Sequence, residues 1–155
     1  MLGAEVVVIS SSDDKLARAK TLGANHGINY KTTPDWEKAA MEFTQGRGVD
    51  QVVEVGGAGT FVRSLNAIRL NGSISLIGVL AGAAEINPML MLVKRANVQG
   101  ISVGSRQMFE AMNRAIAANG LKPVVDKVFP FGEARAAYRH LQSAAHFGKV
   151  VISLA

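Results

Sequence analysis

The chain has 155 residues, 48% hydrophobic and 19% charged, so it has the apolar side chains for a folded core and is not an intrinsically disordered segment. It contains no cysteine, which excludes disulfides, thiolate zinc sites and a cysteine nucleophile, and we predict a reducing, cytoplasmic location. The net charge of +5 comes from Lys and Arg scattered over the second half, with one adjacent pair, Lys94-Arg95. We therefore predict no nucleic-acid surface.

The N-terminal and the apolar segments predict neither a signal peptide nor a membrane span. No basic region precedes the first apolar stretch, which Glu5 interrupts. The longest uncharged run, residues 70–84, is shorter than a bilayer requires and contains three glycines. We therefore expect no membrane partner.

Short β-branched runs alternate with helical patterns along the whole sequence. Apolar runs without period-two alternation predict strands that are covered on both faces. The predicted strands are residues 5–9, 26–30, 51–55, 73–80, 97–103, 124–131 and 149–154. Polar caps and prolines predict helix starts at Ser11, Thr33-Pro34, Thr60, Asn87-Pro88, Ser105 and Glu133. The helix from Thr60 is predicted to include Ile68, and Tyr138 is predicted to be a core residue of the last helix.

This alternation predicts an α/β fold with right-handed crossovers and a Rossmann-like, doubly wound, mostly parallel sheet in a single domain, residues 1–155. Ligands of such sheets bind outside the carboxyl ends of the strands. The predicted ends are small or glycine-bearing, so a ligand can approach the backbone there. They are Ser10-Ser11-Ser12, Val55-Gly56-Gly57, Gly78-Val79-Leu80 and Ser102-Val103-Gly104.

The end of the first strand carries hydroxyls where NAD-binding sheets carry an acidic residue. In those sheets Asp or Glu accepts hydrogen bonds from the adenosine ribose. Here Ser10, Ser11 and Ser12 are followed by Lys15, a set that suits a phosphate group at a helix N-terminus. The pattern favours NADP(H) over NAD(H). The alternative is that the serines only cap the helix and Lys15 is solvated, and the neighbouring Asp13 and Asp14 favour phosphate binding only if they point away.

No complete catalytic or metal motif is present in the sequence. There is no G-x-G-x-x-G, and Gly56-Gly57 alone is more typical of a plain strand-to-helix turn than of a phosphate contact. The histidines His26, His140 and His146 have no metal-ligand spacing, and G-x-S-x-G is absent. We predict no catalytic residue and no metal ligand within this chain.

An ordered set of segments nevertheless resembles one superfamily. The segments are residues 14–24, Ile28-Asn29-Tyr30, Gly48-Val49-Asp50, Glu54-Val55-Gly56-Gly57, residues 72–78 and residues 148–152. Together they resemble the medium-chain dehydrogenase/reductase superfamily, within it the zinc-type alcohol dehydrogenase-like and quinone oxidoreductase-like members. The resemblance covers essentially the whole chain.

The resemblance implies a C-terminal, nucleotide-binding part of an oxidoreductase. It implies a preceding catalytic domain, which carries any zinc ligands, and a first strand with a glycine-rich loop that this sequence lacks. That strand is expected between residues 5–10 and 51–55, so the gap is closed, left open or filled by another chain. Residues 124–155 correspond to the segment that returns to the catalytic domain, and their two strands are expected to pair with each other.

The same resemblance assigns cofactor contacts to positions in this sequence. Ser11, Ser12 and Lys15 match the residues that hold the 2′-phosphate of NADP(H), and Tyr30 matches a tyrosine near the adenosine. Val55-Gly56 and Val79-Leu80 match backbone stretches along the adenosine and nicotinamide. The strand at 98–103 matches the one that pairs across the dimer, which implies a homo-oligomer. A basic residue that touches the cofactor in some relatives is replaced here by Ala144 and Ala145, with His146 nearby.

Two functions remain open from the sequence. The first is the nucleotide-binding portion of an NADP(H)-dependent oxidoreductase that moves hydride between nicotinamide and an alcohol, carbonyl or activated alkene; the chain alone is expected to be inactive. The second is a non-enzymatic Rossmann-like module or split subunit that acts through dimerisation. A doubly wound methyltransferase fits less well, because no glycine-rich loop follows the first strand and no acidic residue ends the second.

Overall fold

The computed structural model describes residues 3–154, which divide into two compact units, one ending at Val103 and one beginning at Gly104. The strands are β1 (Val7–Ser10), β2 (His26–Asn29), β3 (Val49–Glu54), β4 (Ile68–Leu76), β5 (Asn97–Gly100), β6 (Val125–Pro130) and β7 (Lys149–Ser153). The helices are α1 (Asp13–Thr21), α2 (Trp36–Phe43), α3 (Phe61–Ala67), α4 (Met89–Lys94), α5 (Arg106–Ala118) and α6 (Ala134–Gln142). Across residues 3–154 every helix lacks the length or the apolar character that a bilayer crossing requires.

The first unit contains two parallel sheets. β1 pairs with β2, and α1 is the crossover between them. β3, β4 and β5 form the second sheet in that order, connected by α3 and α4. These parallel pairs confirm the predicted Rossmann-like α/β fold. Among the described strands β1 and β3 do not pair with each other. These are the two strands that are expected to flank a further strand, and within residues 3–154 each has one unpaired edge.

Helix α3 connects the hydrophobic cores of these two sheets. Its side chains Phe61 and Leu65 are buried in one cluster with Ile74 of β4. Its last residue, Ala67, is buried in a second cluster with Trp36 of α2. Burial of each large side chain stabilises the fold by about 1.5–3 kcal/mol. The cores therefore hold the sheets together although no strand bridges them.

The second unit is built on a parallel pair of strands. β6 and β7 pair with each other, as expected, and α6 is the crossover. Phe129 of β6 and Ala137 of α6 are buried. Asp126 ties this unit together: its Oδ2 lies 2.8 Å from Nε2 of His140, and its Oδ1 accepts from the backbone N–H of Phe147 at 2.9 Å. This carboxylate links β6 to α6 and to the loop before β7.

Two predicted helix starts are wrong. Ser12, not Ser11, caps α1, because its backbone is extended and its Oγ accepts the N–H of Lys15 at 3.4 Å. That amide is the third of the helix, the group an N-cap oxygen reaches. α2 begins at Trp36 after Asp35, whose carbonyl accepts from Lys38 N at 2.9 Å. Pro34 therefore lies before the helix, not in its first turn.

Four further predictions differ from the structure. β5 ends at Gly100, three residues before Val103, so the strand predicted to pair across a dimer is shorter than expected. Ile68 belongs to β4, because its backbone is extended and it pairs with Val49 of β3. A buried isoleucine is found in helices and in strands, so the residue type of Ile68 did not distinguish the two assignments. β4 ends at Leu76, four residues before Leu80. Tyr138 is 69% exposed, because the adjacent Ala137 takes the buried position on α6.

Asp50 at the start of β3 should make stability depend on pH in acid. Hydrogen bonds from Arg47 and Arg69 hold the pKa of this carboxyl below its usual value of 3.8. A lowered folded-state pKa stabilises the fold above the unfolded-state pKa, and that contribution is lost as the pH falls through the folded-state pKa. We expect Asp50→Asn to lower the thermal midpoint slightly at pH 7, because exposed ion pairs are weak, and the difference to shrink below about pH 3.8. A pH series of melts in which the difference grows in acid would contradict this.

Candidate functional site

The hydroxyls predicted to bind phosphate gather where β1 meets α1. Ser10 is the last residue of β1, and its Oγ accepts from Ser12 N at 3.3 Å. Ser12 caps α1, and Lys15 lies in the first turn of that helix. Ser11 lies between Ser10 and Ser12, and all four residues are partly buried. The structure therefore brings the three predicted serines and Lys15 to the N-terminus of one helix, whose backbone carries partial positive charge.

The end of β2 lies beside this cluster. Tyr30 is the first residue after β2. Its backbone N–H donates to the carbonyl of Ser10 at 3.0 Å, so the tyrosine lies beside Ser10. Asn29 Nδ2 donates to Asp13 Oδ1 at 2.8 Å. This hydrogen bond holds the Asp13 carboxylate at the end of β2. Tyr30 is 44% exposed and open to a ligand.

A buried carboxylate organises the turn after β3. Glu54 is 3% exposed, and its Oε1 accepts from the backbone N–H groups of Gly56 and Gly57 at 2.8 and 3.0 Å. The same oxygen accepts from Thr60 Oγ1 at 2.6 Å, and Oε2 accepts from the hydroxyl of Ser64. Sequence reasoning assigned no role to Glu54. The available signal was a lone carboxylate at the end of an apolar strand, separated from two glycines by one residue.

The ends of β3 and β4 touch through backbone. The N–H groups of Ile77 and Gly78 both donate to the carbonyl of Glu54 at 2.9 Å. Gly57 has φ +68°, and a Cβ there would lie 2.6 Å from the Gly78 carbonyl oxygen. Such a contact is too short for any other residue, so glycine is required at this approach. The turn after β3 is therefore packed directly on the end of β4.

The predicted backbone stretches lie at these strand ends. Val55 and Val79 are 70% and 76% exposed, so both residues lie at the surface. Val79 N would lie 3.6 Å from a Cβ on Gly57, so it adjoins the glycine turn. Leu80 is fully exposed beyond this contact. The structure thus joins Val55, Gly56 and Val79, whereas no contact places Leu80 with them.

Other polar and hollow regions do not coincide with these strand ends. A surface hollow of about 350 Å³ lies on α2 beside Asn66, lined by Glu37, Lys38, Met41 and Glu42. In the second unit the ring centroids of His140 and His146 are 6.1 Å apart, near Asp126. Within residues 3–154 no three His, Cys, Asp or Glu side chains are placed to hold a metal ion. With no cysteine in the sequence, these residues do not fit a zinc site.

A parallel α/β sheet with hydroxyls, a lysine and a glycine turn at its strand ends is characteristic of dinucleotide-binding proteins. The family model described as "Zinc-binding dehydrogenase" matches residues 1–118. The chain belongs to this family, within the medium-chain dehydrogenase/reductase superfamily.

Two curated relatives show how the chain relates to longer proteins. A zinc-type alcohol dehydrogenase-like protein of Schizosaccharomyces pombe is 45% identical over 98% of this chain and 45% of its own length. A 2-haloacrylate reductase of Burkholderia is 30% identical over 97% of this chain and 48% of its own length. The chain thus spans about half the length of the curated relatives it matches.

Solved structures give the same correspondence. A structure of an NAD-dependent alcohol dehydrogenase is 34% identical, with a TM-score of 0.89 over 99% of this chain and 45% of the other. A mycobacterial protein solved with NADPH is 24% identical, with a TM-score of 0.81 over 97% of this chain and 50% of the other, and shares the fold. The matched region is the nucleotide-binding half of these proteins.

Proposed function

We propose that this chain is the nucleotide-binding portion of an NADP(H)-dependent oxidoreductase that transfers hydride between the nicotinamide ring and an alcohol, carbonyl or activated alkene. The observation that carries the proposal is the joint placement of Ser12 and Lys15 at the start of α1, beside Tyr30. Relatives named as an alcohol dehydrogenase-like protein and a haloacrylate reductase support these substrate classes. A cytoplasmic location, consistent with the absence of cysteine, belongs to the same proposal.

The bound cofactor supplies the hydride chemistry, and this chain binds and orients it. Ser11, Ser12 and Lys15 hold the 2′-phosphate, and Tyr30 lies along the adenosine. The exposed residues Val55-Gly56 and Val79-Leu80 line the rest of the dinucleotide. Residues 124–155 correspond to the segment that joins a catalytic domain, and they lie within the second compact unit, which begins at Gly104.

The preference for NADP(H) over NAD(H) rests on charge. Ser10 stands at the strand end where an acidic residue of NAD-binding sheets accepts from the ribose hydroxyls. A neutral hydroxyl tolerates a phosphate there, and Lys15 attracts it. Asp13, the acidic residue nearest to these serines in sequence, is engaged by Asn29. Lys15 and the hydroxyls favour the phosphorylated cofactor, provided that the carboxylates of Asp13 and Asp14 point away from the phosphate.

Lys15→Ala is expected to weaken NADPH binding about tenfold and leave NADH binding unchanged, because one charged hydrogen bond contributes about 1.5 kcal/mol. The measurement is titration of the purified chain with each cofactor, followed by ligand-observed NMR, which suits weak complexes. Lys20→Ala, an exposed lysine in the last turn of the same helix, is the matched control and should change neither affinity. If Lys15→Ala leaves the ratio of NADPH to NADH affinity unchanged, Lys15 does not bind the 2′-phosphate.

Without a G-x-G-x-x-G loop in these residues, the chain alone should bind the cofactor weakly and catalyse no hydride transfer. The check is NADPH absorbance in the presence of alcohol, aldehyde and quinone substrates. Consumption of NADPH above the rate without protein would refute this expectation.

The second candidate is a non-enzymatic module or split subunit that acts through dimerisation. It is favoured by the open strand edges: among the described strands β5 pairs only with β4, and β1 and β3 each have one unpaired side. Unpaired edges are templates for association with another chain. Light scattering over a concentration series should detect a dimer, which we expect to pair through residues 98–103. A monomer at the highest concentration would exclude this candidate.

A further inference from the structure

The carboxylate of Glu54 is buried, and four hydrogen-bond donors are directed at it. It is 3% exposed, and burying a carboxylate is costly unless hydrogen bonds compensate the lost hydration. Four donors surround it: two backbone amides of the glycine turn, one threonine hydroxyl and one serine hydroxyl. Charge-assisted bonds of this kind are about twice as strong as neutral ones.

The two oxygens of Glu54 have separate tasks. Oε1 receives the amides of Gly56 and Gly57 and therefore acts on the turn after β3. Oε2 receives the hydroxyl of Ser64, a buried residue of α3, and therefore acts on the helix. The backbone carbonyl of the same residue holds Ile77 and Gly78 at the end of β4. One residue thus connects both backbone stretches that the cofactor is expected to follow.

We propose that Glu54 is a positioning residue for the cofactor site: its Oε1 sets the backbone path from Val55 to Gly57 and thereby the shape of the surface that meets the dinucleotide. The proposal rests on the proposed function for its link to cofactor binding. Two amides of the turn are directed at one oxygen, and without it the N–H of the buried Gly57 would lack an acceptor, so this oxygen specifies the turn. Gly57, in its left-handed conformation against Gly78, admits little other arrangement.

The test compares Glu54→Ala with Ser64→Ala. The serine variant removes the donor to Oε2 and should lower stability while leaving the bonds of Oε1 to the turn. Glu54→Ala is expected to weaken NADPH binding about tenfold at temperatures where the protein is folded. It should also move the amide proton resonances of Gly56 and Gly57 upfield, whereas Ser64→Ala leaves affinity and both resonances close to the wild type.

A conservative variant separates positioning from general stability. Glu54→Gln keeps one oxygen for the turn, so NADPH affinity should stay within about threefold of the wild type, with a smaller upfield shift of both glycine amides. Should Glu54→Ala not fold, unchanged amide resonances in Glu54→Gln overturn the proposal. Equal losses of affinity in Glu54→Ala and Ser64→Ala also overturn it.

The proposed function and this inference fail in different ways. If the wild-type chain binds no NADPH at millimolar concentration, the proposed function fails. The glycine amide resonances then decide whether Glu54 sets the turn. An upfield shift in Glu54→Ala supports that role, and unchanged resonances overturn it.

Discussion

Ser12→Asp is expected to lower the selectivity of the chain for 2′-phosphorylated adenosine by about 100-fold. A phosphate monoester carries nearly two negative charges at pH 7, and a carboxylate about 5 Å away in water repels it by about 1.7 kcal/mol. The substitution also removes a hydroxyl bond to a charged group, which contributes about 1.5 kcal/mol. NADH has no such phosphate, and its ribose hydroxyls can donate to the new carboxylate.

The chain contains a matched control for this substitution. Ser12 and Ser105 both cap a helix, and their Oγ atoms accept from the third amide of α1 and α5 at 3.4 and 3.2 Å. Aspartate caps a helix as well as serine does, so both substitutions should preserve the fold. Ser105→Asp adds the same charge in the second unit and should leave selectivity unchanged.

The sharpest measurement uses fragments of the cofactor. Adenosine 2′,5′-bisphosphate and adenosine 5′-monophosphate differ in the 2′-phosphate and need no pyrophosphate loop. Ligand-observed NMR with both fragments gives the affinity ratio for the wild type, Ser12→Asp and Ser105→Asp. If Ser12→Asp and Ser105→Asp give the same ratio, the phosphate does not meet Ser12, and the NADP(H) assignment fails.

The sequence was sufficient for the fold class because β-branched runs, helix caps and glycine stops recur in a fixed order. It was insufficient for boundaries where a side chain suits two environments. Ile68 is buried and apolar, which fits the face of α3 as well as the first residue of β4. Its pairing with Val49, a residue distant in sequence, decides between them. Such non-local pairing is invisible to local periodicity.

The candidate cofactor site likewise contains residues that local sequence patterns predict and a residue that they do not. Ser10, Ser12 and Lys15 are close in sequence, so capping rules bring them together with local information. Glu54 acts through two amides of the glycine turn and two hydroxyls, and this role depends on a turn whose shape only the folded chain shows. The unpaired sides of β1 and β3 follow from the order of the strands. The family resemblance predicted this order, whereas the residue patterns alone did not.

Gly78→Ala is expected to destabilise the first unit by about 3 kcal/mol and to abolish cofactor binding. A Cβ on Gly78 would lie 2.4 Å from the Val55 carbonyl oxygen and 2.5 Å from Gly57 N. Both are backbone atoms, so no side-chain rotation relieves the clash, and forcing extra volume into a packed site costs about 1–3 kcal/mol or more. The ends of β3 and β4 must separate, and the two stretches that carry the dinucleotide separate with them.

Gly100→Ala at the end of β5 is the control, because a Cβ there has no atom within 4 Å. It should change the free energy of unfolding by less than about 0.5 kcal/mol. The single tryptophan, Trp36, is buried in the first unit, so its fluorescence during urea titration reports the unfolding of that unit. For a domain stable by about 5–15 kcal/mol, a loss of 3 kcal/mol shifts the midpoint clearly. Equal midpoints for the two alanine variants would show that the strand ends do not meet as closely as these distances require, and the shared backbone surface proposed for the cofactor would then be wrong.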